Sequence, residues 1–187
     1  MQNPTFLQAR NYTPTDNRAI SLIVIHTMET PEKVLTARHV AEWFASPNAP
    51  KASAHYCIDS LETIQCVAEK DVAWAAPGAN STGIHLEHAG FARQSTAEWA
   101  DEFSDLTLRR SAIVVASVCL RYSIPVVCLS VEDVKTGKKG ICSHDTISKA
   151  FKKSGHWDPG PNFPWLKYLM LVQKALDDMK SDLAGSA

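Results

Sequence analysis

The stretch "AISLIVIHT" (residues 19–27) constrains this chain more than any other. It is a continuous apolar, β-branched run without the alternation of a strand that has one wet face. Such a run reads as a strand buried on both faces, which needs helices packed on each side of its sheet. The rest of the chain supplies them. "EKVLTARHVAEWFAS" carries Val34, Leu35, Val40, Trp43 and Phe44 near helical spacing, with Pro31 just ahead of the start. "SDLTLRRSAIVVASVCLRYS" lines up Leu108, Ala112, Val115, Cys119 and Tyr122 on one helical face and is stopped by Pro125. "FPWLKYLMLVQKALDDMKSDL" reads as a closing amphipathic helix.

Between these lie further strand patterns. "SAHYCIDSLETIQCV" reads as two strands turning at Asp59-Ser60, and "STGIHLEHAG" as a short strand closed by Gly90. "PVVCLS" reads as another buried strand, "VEDVKTGKKG" as a polar loop, and "GICSH" as a short strand running into His144. Strands alternating with helices predict an α/β fold: one domain over residues 1–187, its core at about 20–180, with a mainly buried mixed β-sheet flanked by helices. No linker divides the chain, and only the terminal "SDLAGSA" reads as a frayed tail.

Composition narrows the function classes. A net charge of -1 gives no reason to expect nucleic acid or an anionic membrane as partner. No apolar run approaches the roughly 20 residues of a membrane helix, and the polar start lacks the h-region of a signal peptide. The expectation is cytoplasmic synthesis without a signal peptide. The five cysteines form an odd, scattered set without C-x-x-C, which suggests reduced, mostly buried thiols.

The chemistry gathers where elements end. His26 closes the first strand, His144 follows another, and Asp158 lies in "SGHWDPGPNFPW", a loop stiffened by three prolines. Ligands of open α/β sheets sit beyond strand ends. Two histidines and a carboxylate are a ligand set of catalytic zinc, with a fourth position left open. Polar residues that merely mark the start of a loop are the competing reading.

The segments "VIHTM", "SAHYCID", "AEKDVAWAA", "TGIHLEHAG" and "SHD…HWDPGPNFPW" occur in the order found in the zinc-dependent N-acetylmuramoyl-L-alanine amidases, the family that includes amidase-type phage lysozymes and peptidoglycan recognition proteins. The chain resembles that family from about Ser21 to Trp165. The resemblance implies a Zn2+ held by His26, His144 and Asp158, and the hydrolysis of the amide between N-acetylmuramic acid and L-alanine in peptidoglycan. It places His156 where relatives often carry a lysine that polarises the carbonyl. Because the segment from His144 to Asp158 is longer than usual, Lys152 or Lys153 is the alternative. In "TGIHLEHAG", His85 fills the slot of the general base and Glu87 the second acidic position. Both stand on one strand face, so Glu87 or His85 takes the proton, with Glu87 the first choice. Trp74, with Asn80 near it, matches a segment lining the glycan–peptide groove, or is a core tryptophan.

The other histidines read as structural. His39 is surface or satisfied core, His55 braces the sheet, and His88 is a possible cleft residue. Cys142 shares a strand face with His144, and thiolate binds zinc well, but the resemblance puts the third ligand at Asp158. The implied setting is a lytic enzyme of the phage endolysin type, a monomer that reaches the wall after release, with peptidoglycan or muropeptide as its partner. The alternatives are a cytoplasmic amidase recycling muropeptides and a non-catalytic peptidoglycan-binding module.

Overall fold

A computed structural model describes residues 4–185. The strands are β1 (Thr5–Phe6), β2 (Tyr12–Thr13), β3 (Leu22–Thr27), β4 (Tyr56–Ile58), β5 (Thr63–Gln65), β6 (Val72–Ala73), β7 (Gly83–His88) and β8 (Gly140–Ser143). The helices are α1 (Thr36–Ala45), α2 (Glu102–Tyr122), α3 (Val131–Lys135), α4 (His144–Phe151) and α5 (Trp165–Gly185). Six strands form one sheet in the order β1-β5-β4-β7-β3-β8, and β2 pairs with β6 in a two-stranded ribbon. The sheet is mixed: β4 and β5 are antiparallel, whereas β4, β7, β3 and β8 run parallel. The α/β architecture with helices on both faces is therefore as expected.

All six residues of β3 are buried, and the run divides its side chains by parity. Ile23 and Ile25 enter the core formed with Leu108, Val115 and Cys119 of α2 and with Tyr168, Val172 and Leu176 of α5. Leu22 and Val24 point the other way, into a cluster with Cys142, Val134 and Ile147. Under α1 a third cluster holds Ala37, Ala41, Phe44, Cys57, Ile64 and Cys66. This two-sided burial is why the run lacks alternation. The turn between β4 and β5 forms because the Asp59 carboxylate accepts from the backbone N–H groups of Leu61 and Glu62.

Two expectations fail locally. "PVVCLS" is no strand: Cys128 makes only an isolated bridge to Ile141, outside the edge strand β8, and Val127 and Cys128 are exposed. Pro125 cannot donate to a ladder, and the segment reaches the core only through buried Leu129 and half-buried Val126. The "polar loop" contains α3, started by a reciprocal capping box between Ser130 and Asp133. A simple N-cap stands at "SHDT": the Ser143 hydroxyl accepts from the Thr146 N–H, so His144 opens a helix instead of a loop. All five cysteines are free; Cys128 is the exposed one. Among the described residues no helix is long and apolar enough to cross a membrane.

Candidate metal centre and active site

Because β3, β7 and β8 are parallel, their C-terminal ends meet at one edge of the molecule. In register, His26 on β3 faces Glu87 on β7, and Glu87 faces Cys57 on β4. His144 enters the same row from the end of β8, where Val24 pairs with Cys142 and Ile25 with Ser143. Asp158 arrives from the Pro/Gly loop, whose carbonyl at residue 158 accepts from the Asp145 N–H at 3.1 Å. Gly160 secures that loop: a Cβ there would lie 1.8 Å from the Ala92 carbonyl oxygen, and its φ is +89°. Only glycine permits so close a crossing.

His26, His144 and Asp158 are all buried, and their candidate ligand atoms lie within 4.8 Å of one another. Asp158 Oδ2 is 3.2 Å from His26 Nδ1, and Oδ1 is 3.2 Å from His144 Nδ1. The His26 approach lacks hydrogen-bond direction, so Asp158 Oδ2 remains a buried oxygen without a partner. Glu87 Oε2 is a second such oxygen, and Glu87 Oε1 lies 4.0 Å from His26 Nδ1. Unpartnered buried carboxylate oxygens beside imidazole nitrogens are costly unless a cation satisfies them. The donor set, two imidazoles and a carboxylate, fits zinc.

Burial and charge separate the two acids. Burial raises the Glu87 carboxyl well above the usual carboxylate range, and the nearby Asp158 and Glu29 charges add to it. Burial pushes Asp158 the same way, but the His144 and His26 rings outweigh it and hold Asp158 below its ordinary value. Desolvation lowers the pKa of His26, against the pull of Asp158, which favours a neutral ring able to lend a lone pair.

Behind His26 stands a second imidazole. His85 Nδ1 lies 3.1 Å from His26 Nε2, on the far side of the ring from Nδ1. His85 is fully buried, and burial drives its pKa well below the ordinary histidine value. Its backbone N–H donates to His55 Nδ1 at 3.0 Å, and the two rings stack at 5.6 Å. His55, lowered to about 3 by burial, rests its Nε2 3.1 Å from the Asp71 carbonyl oxygen. His88 braces His26 from below. Its Nδ1 is 3.0 Å from the His26 carbonyl oxygen, and its Nε2 is 2.6 Å from Ser111 Oγ, which in turn contacts the Tyr168 hydroxyl at 2.7 Å. His88 is thus a buried brace and not a cleft residue.

His156 lies at the rim. Its side chain is 66% exposed, it stacks on His144 at 4.5 Å with the rings nearly parallel, and its Nδ1 is 3.7 Å from Asp158 Oδ1. Lys152 caps α4 in a left-handed conformation, and no hydrogen bond or ion pair joins Lys152 or Lys153 to the cluster. Trp74 is half-buried, its indole N–H donating to Thr13 Oγ1 at 2.9 Å. Asn80 spends its side-chain oxygen on the backbone N–H groups of Ala75 and Ala76, which shapes the turn between them. Cys142 faces the cluster with Leu22, Val24 and Ile147, where burial holds its thiol protonated. His39 is exposed on α1.

Sequence reasoning passed over two residues. Glu29, at a φ of 52°, accepts from Thr27 Oγ1 and from the Ala92 N–H, both at 2.7 Å, and so ties the end of β3 to the loop that Gly160 crosses. Arg18 donates to the carbonyls of Glu69, Asn80 and Gly83 from the polar start of the chain. Neither had a periodicity or motif to mark it.

Comparison with known proteins agrees with this geometry. Residues 16–161 match the family model described as N-acetylmuramoyl-L-alanine amidase. The chain is 28% identical over 176 residues to N-acetylmuramoyl-L-alanine amidase A of Achromobacter lyticus, covering 87% of this chain and 88% of that protein. Its fold resembles the Staphylococcus aureus hydrolase AmiA solved with its ligand (TM-score 0.64, 16% identity, 96% of this chain and 87% of that one). It also resembles an AmpD derivative (TM-score 0.64, 19% identity, 92% and 96%). With its buried His26–His144–Asp158 cluster at the C-terminal edge of a mixed sheet, the chain belongs to the N-acetylmuramoyl-L-alanine amidase family.

Proposed function

We propose that this amidase hydrolyses the N-acetylmuramic acid–L-alanine bond of peptidoglycan in a zinc-dependent reaction, and that it does so as a wall-lytic enzyme of the endolysin type. The observation that carries the chemistry is the buried His26–His144–Asp158 cluster with the Glu87 carboxylate beside it. Zinc held by these three residues would supply Lewis acidity, polarising the carbonyl and lowering the pKa of water from about 15.7 towards 7.

The remaining roles fall to the chain itself. To lend Nδ1 to a cation, neutral His26 must carry its proton on Nε2, where His85 Nδ1 accepts it at 3.1 Å. His85 is thereby a positioning residue for a ligand, and Glu87 is the general base. Ionised, Glu87 takes the proton of the attacking water, and it returns that proton to the departing L-alanine amine. Its raised pKa makes it a stronger base than an exposed glutamate. His156, at the open rim, donates to the carbonyl oxygen as charge develops there. Trp74, and the turn that Asn80 shapes, form part of the groove wall.

The test is a digest of purified walls read by mass spectrometry, with zinc measured on the same protein. The reading expects new L-alanine amino termini, intact glycan strands and about one zinc equivalent that Asp158→Ala loses and His39→Ala keeps. Full activity of metal-stripped protein would refute the zinc mechanism. Activity confined to soluble muropeptides would overturn the lytic setting in favour of recycling.

A further inference from the structure

Cys57 on β4 and Cys66, just past β5, bring two free thiols together in the cluster under α1. Both residues are fully buried, and their Sγ atoms lie 3.7 Å apart. The register shows how they meet. Cys57 stands straight across from Ile64, not from Cys66. Beyond β5 the N–H groups of Cys66 and Val67 both donate to the His55 carbonyl, at 2.8 and 3.5 Å. Two residues facing one form a bulge, which bends the strand and brings Cys66 diagonally over Cys57. Sulfurs this close, on strands fixed by their ladder, can bond after a small rotation of the side chains.

The other thiols are placed differently: Cys119 and Cys142 lie in two other clusters, and Cys128 is exposed. As apolar filler a single buried cysteine is a small hydrophobe, but two sulfurs in contact add a reaction that neither has alone. The pair also stands at the edge of the site. In register Cys57 pairs with Glu87, and Glu87 with His26, so the three side chains form one row on one face of the sheet. What fixes Cys57 therefore fixes the strand next to the one that carries Glu87.

We propose that Cys57 and Cys66 are an oxidisable dithiol, which a hydroperoxide closes to a reversible disulfide that staples β4 to the strand end after β5. One sulfur attacks the peroxide: an S–O bond forms, the O–O bond breaks, and water leaves with the thiol proton. The other sulfur attacks that sulfenic sulfur: the S–S bond forms, the S–O bond breaks, and a second water leaves with the second thiol proton. The dithiol gives up two electrons in all, and the peroxide is reduced to two waters. Burial keeps the Cys57 thiol protonated, so the reaction is slow and calls for a small, uncharged oxidant. A reducing compartment keeps the pair open, and an oxidising one closes it. The use of the staple outside the cell, though not its chemistry, rests on the wall-lytic reading.

The probe is hydrogen peroxide, given at a few equivalents to the reduced full chain in the presence of zinc and then removed with catalase. After alkylation and digestion, mass spectrometry should find the peptides of Cys57 and Cys66 joined, lighter than their sum by two hydrogen atoms, and a phosphine reductant should part them. Cys66→Ala should abolish the joined pair, and Cys128→Ser should leave it in place. The oxidised protein should melt about 4–10 °C above the reduced one. A link between Cys128 and Cys142 instead, sulfinic acid without any link, or an unchanged or lower midpoint in the linked protein would overturn the staple. Release of L-alanine amino termini by the reduced protein, scored in parallel, reports on the amidase reading separately. If that release persists while no link forms, only the staple is lost; if it is absent while the link forms and raises the midpoint, the amidase reading fails and the staple stands.

Discussion

Glu87 and Asp158 stand at one sheet edge, yet their surroundings drive them apart: burial raises the first, and two imidazoles hold the second down. Such a split between neighbouring acids supports the proposed division of work, one as proton acceptor and one as ligand. Glu87→Gln should therefore keep its zinc and lose about 10²–10⁴ in kcat, with the acidic limb of the pH–rate profile gone. His85→Ala should do the reverse, weakening zinc about 10–100-fold by outer-shell loss while the limb stays in place. A vanished limb in His85→Ala would exchange the two roles. His156→Ala should cost about 10²–10³ in kcat with zinc retained, the loss of one donor to the carbonyl oxygen. The raised Glu87 pKa also has a stability consequence. Its favourable contribution is complete below the unfolded value of about 4.3 and is lost as pH rises through the higher folded value. Under chelation, Glu87→Gln should thus melt above the unmodified protein at pH 7 and level with it below about pH 4. Equal melting at both pH values would contradict a desolvated Glu87.

At the scale of elements, the ligands are only as fixed as the strands and helices that carry them. The His88–Ser111–Tyr168 chain joins β7, α2 and α5 beneath the backbone of His26. Ser111→Ala would leave buried polar atoms of His88 and Tyr168 without their shared partner, at a cost of about 1–3 kcal/mol. Denaturant unfolding should show that loss while zinc content at low temperature is unchanged. A variant as stable as the parent would mean that packing of α2 on α5, and not this chain of hydrogen bonds, holds the end of β3.

A metal held as proposed would link site and fold across the whole molecule, because His26, His144 and Asp158 come from β3, the start of α4 and the loop before α5. An unfolded chain has no such site, so zinc at about 100 times its dissociation constant should add roughly 2.7 kcal/mol. For a domain of this length that is about 5–11 °C in thermal midpoint, and calorimetry with and without chelator should show it. An unchanged midpoint would place the metal outside the folded core.

Much was legible in the sequence. The unbroken apolar run of β3 required cover on both faces, helical spacing marked α2 and α5, and the Pro/Gly loop could be neither helix nor central strand. Those properties depend on neighbours within a few residues, so local chemistry determines them. His26, His144 and Asp158 drew notice by standing where elements end, but only resemblance singled them out as a set, since 117 residues lie between His26 and His144. Tertiary structure decided the rest. Residues 85 and 87 share a strand face, and alternation alone cannot rank them. The register of β3 and β7 separates them: Glu87 pairs with His26 and lies on its Nδ1 side, whereas His85 pairs with Val24 and lies behind the ring, at Nε2. His88, one residue further on, faces the opposite core because the pleat reverses direction at each step. Those assignments come from long-range register, which no stretch of sequence carries by itself.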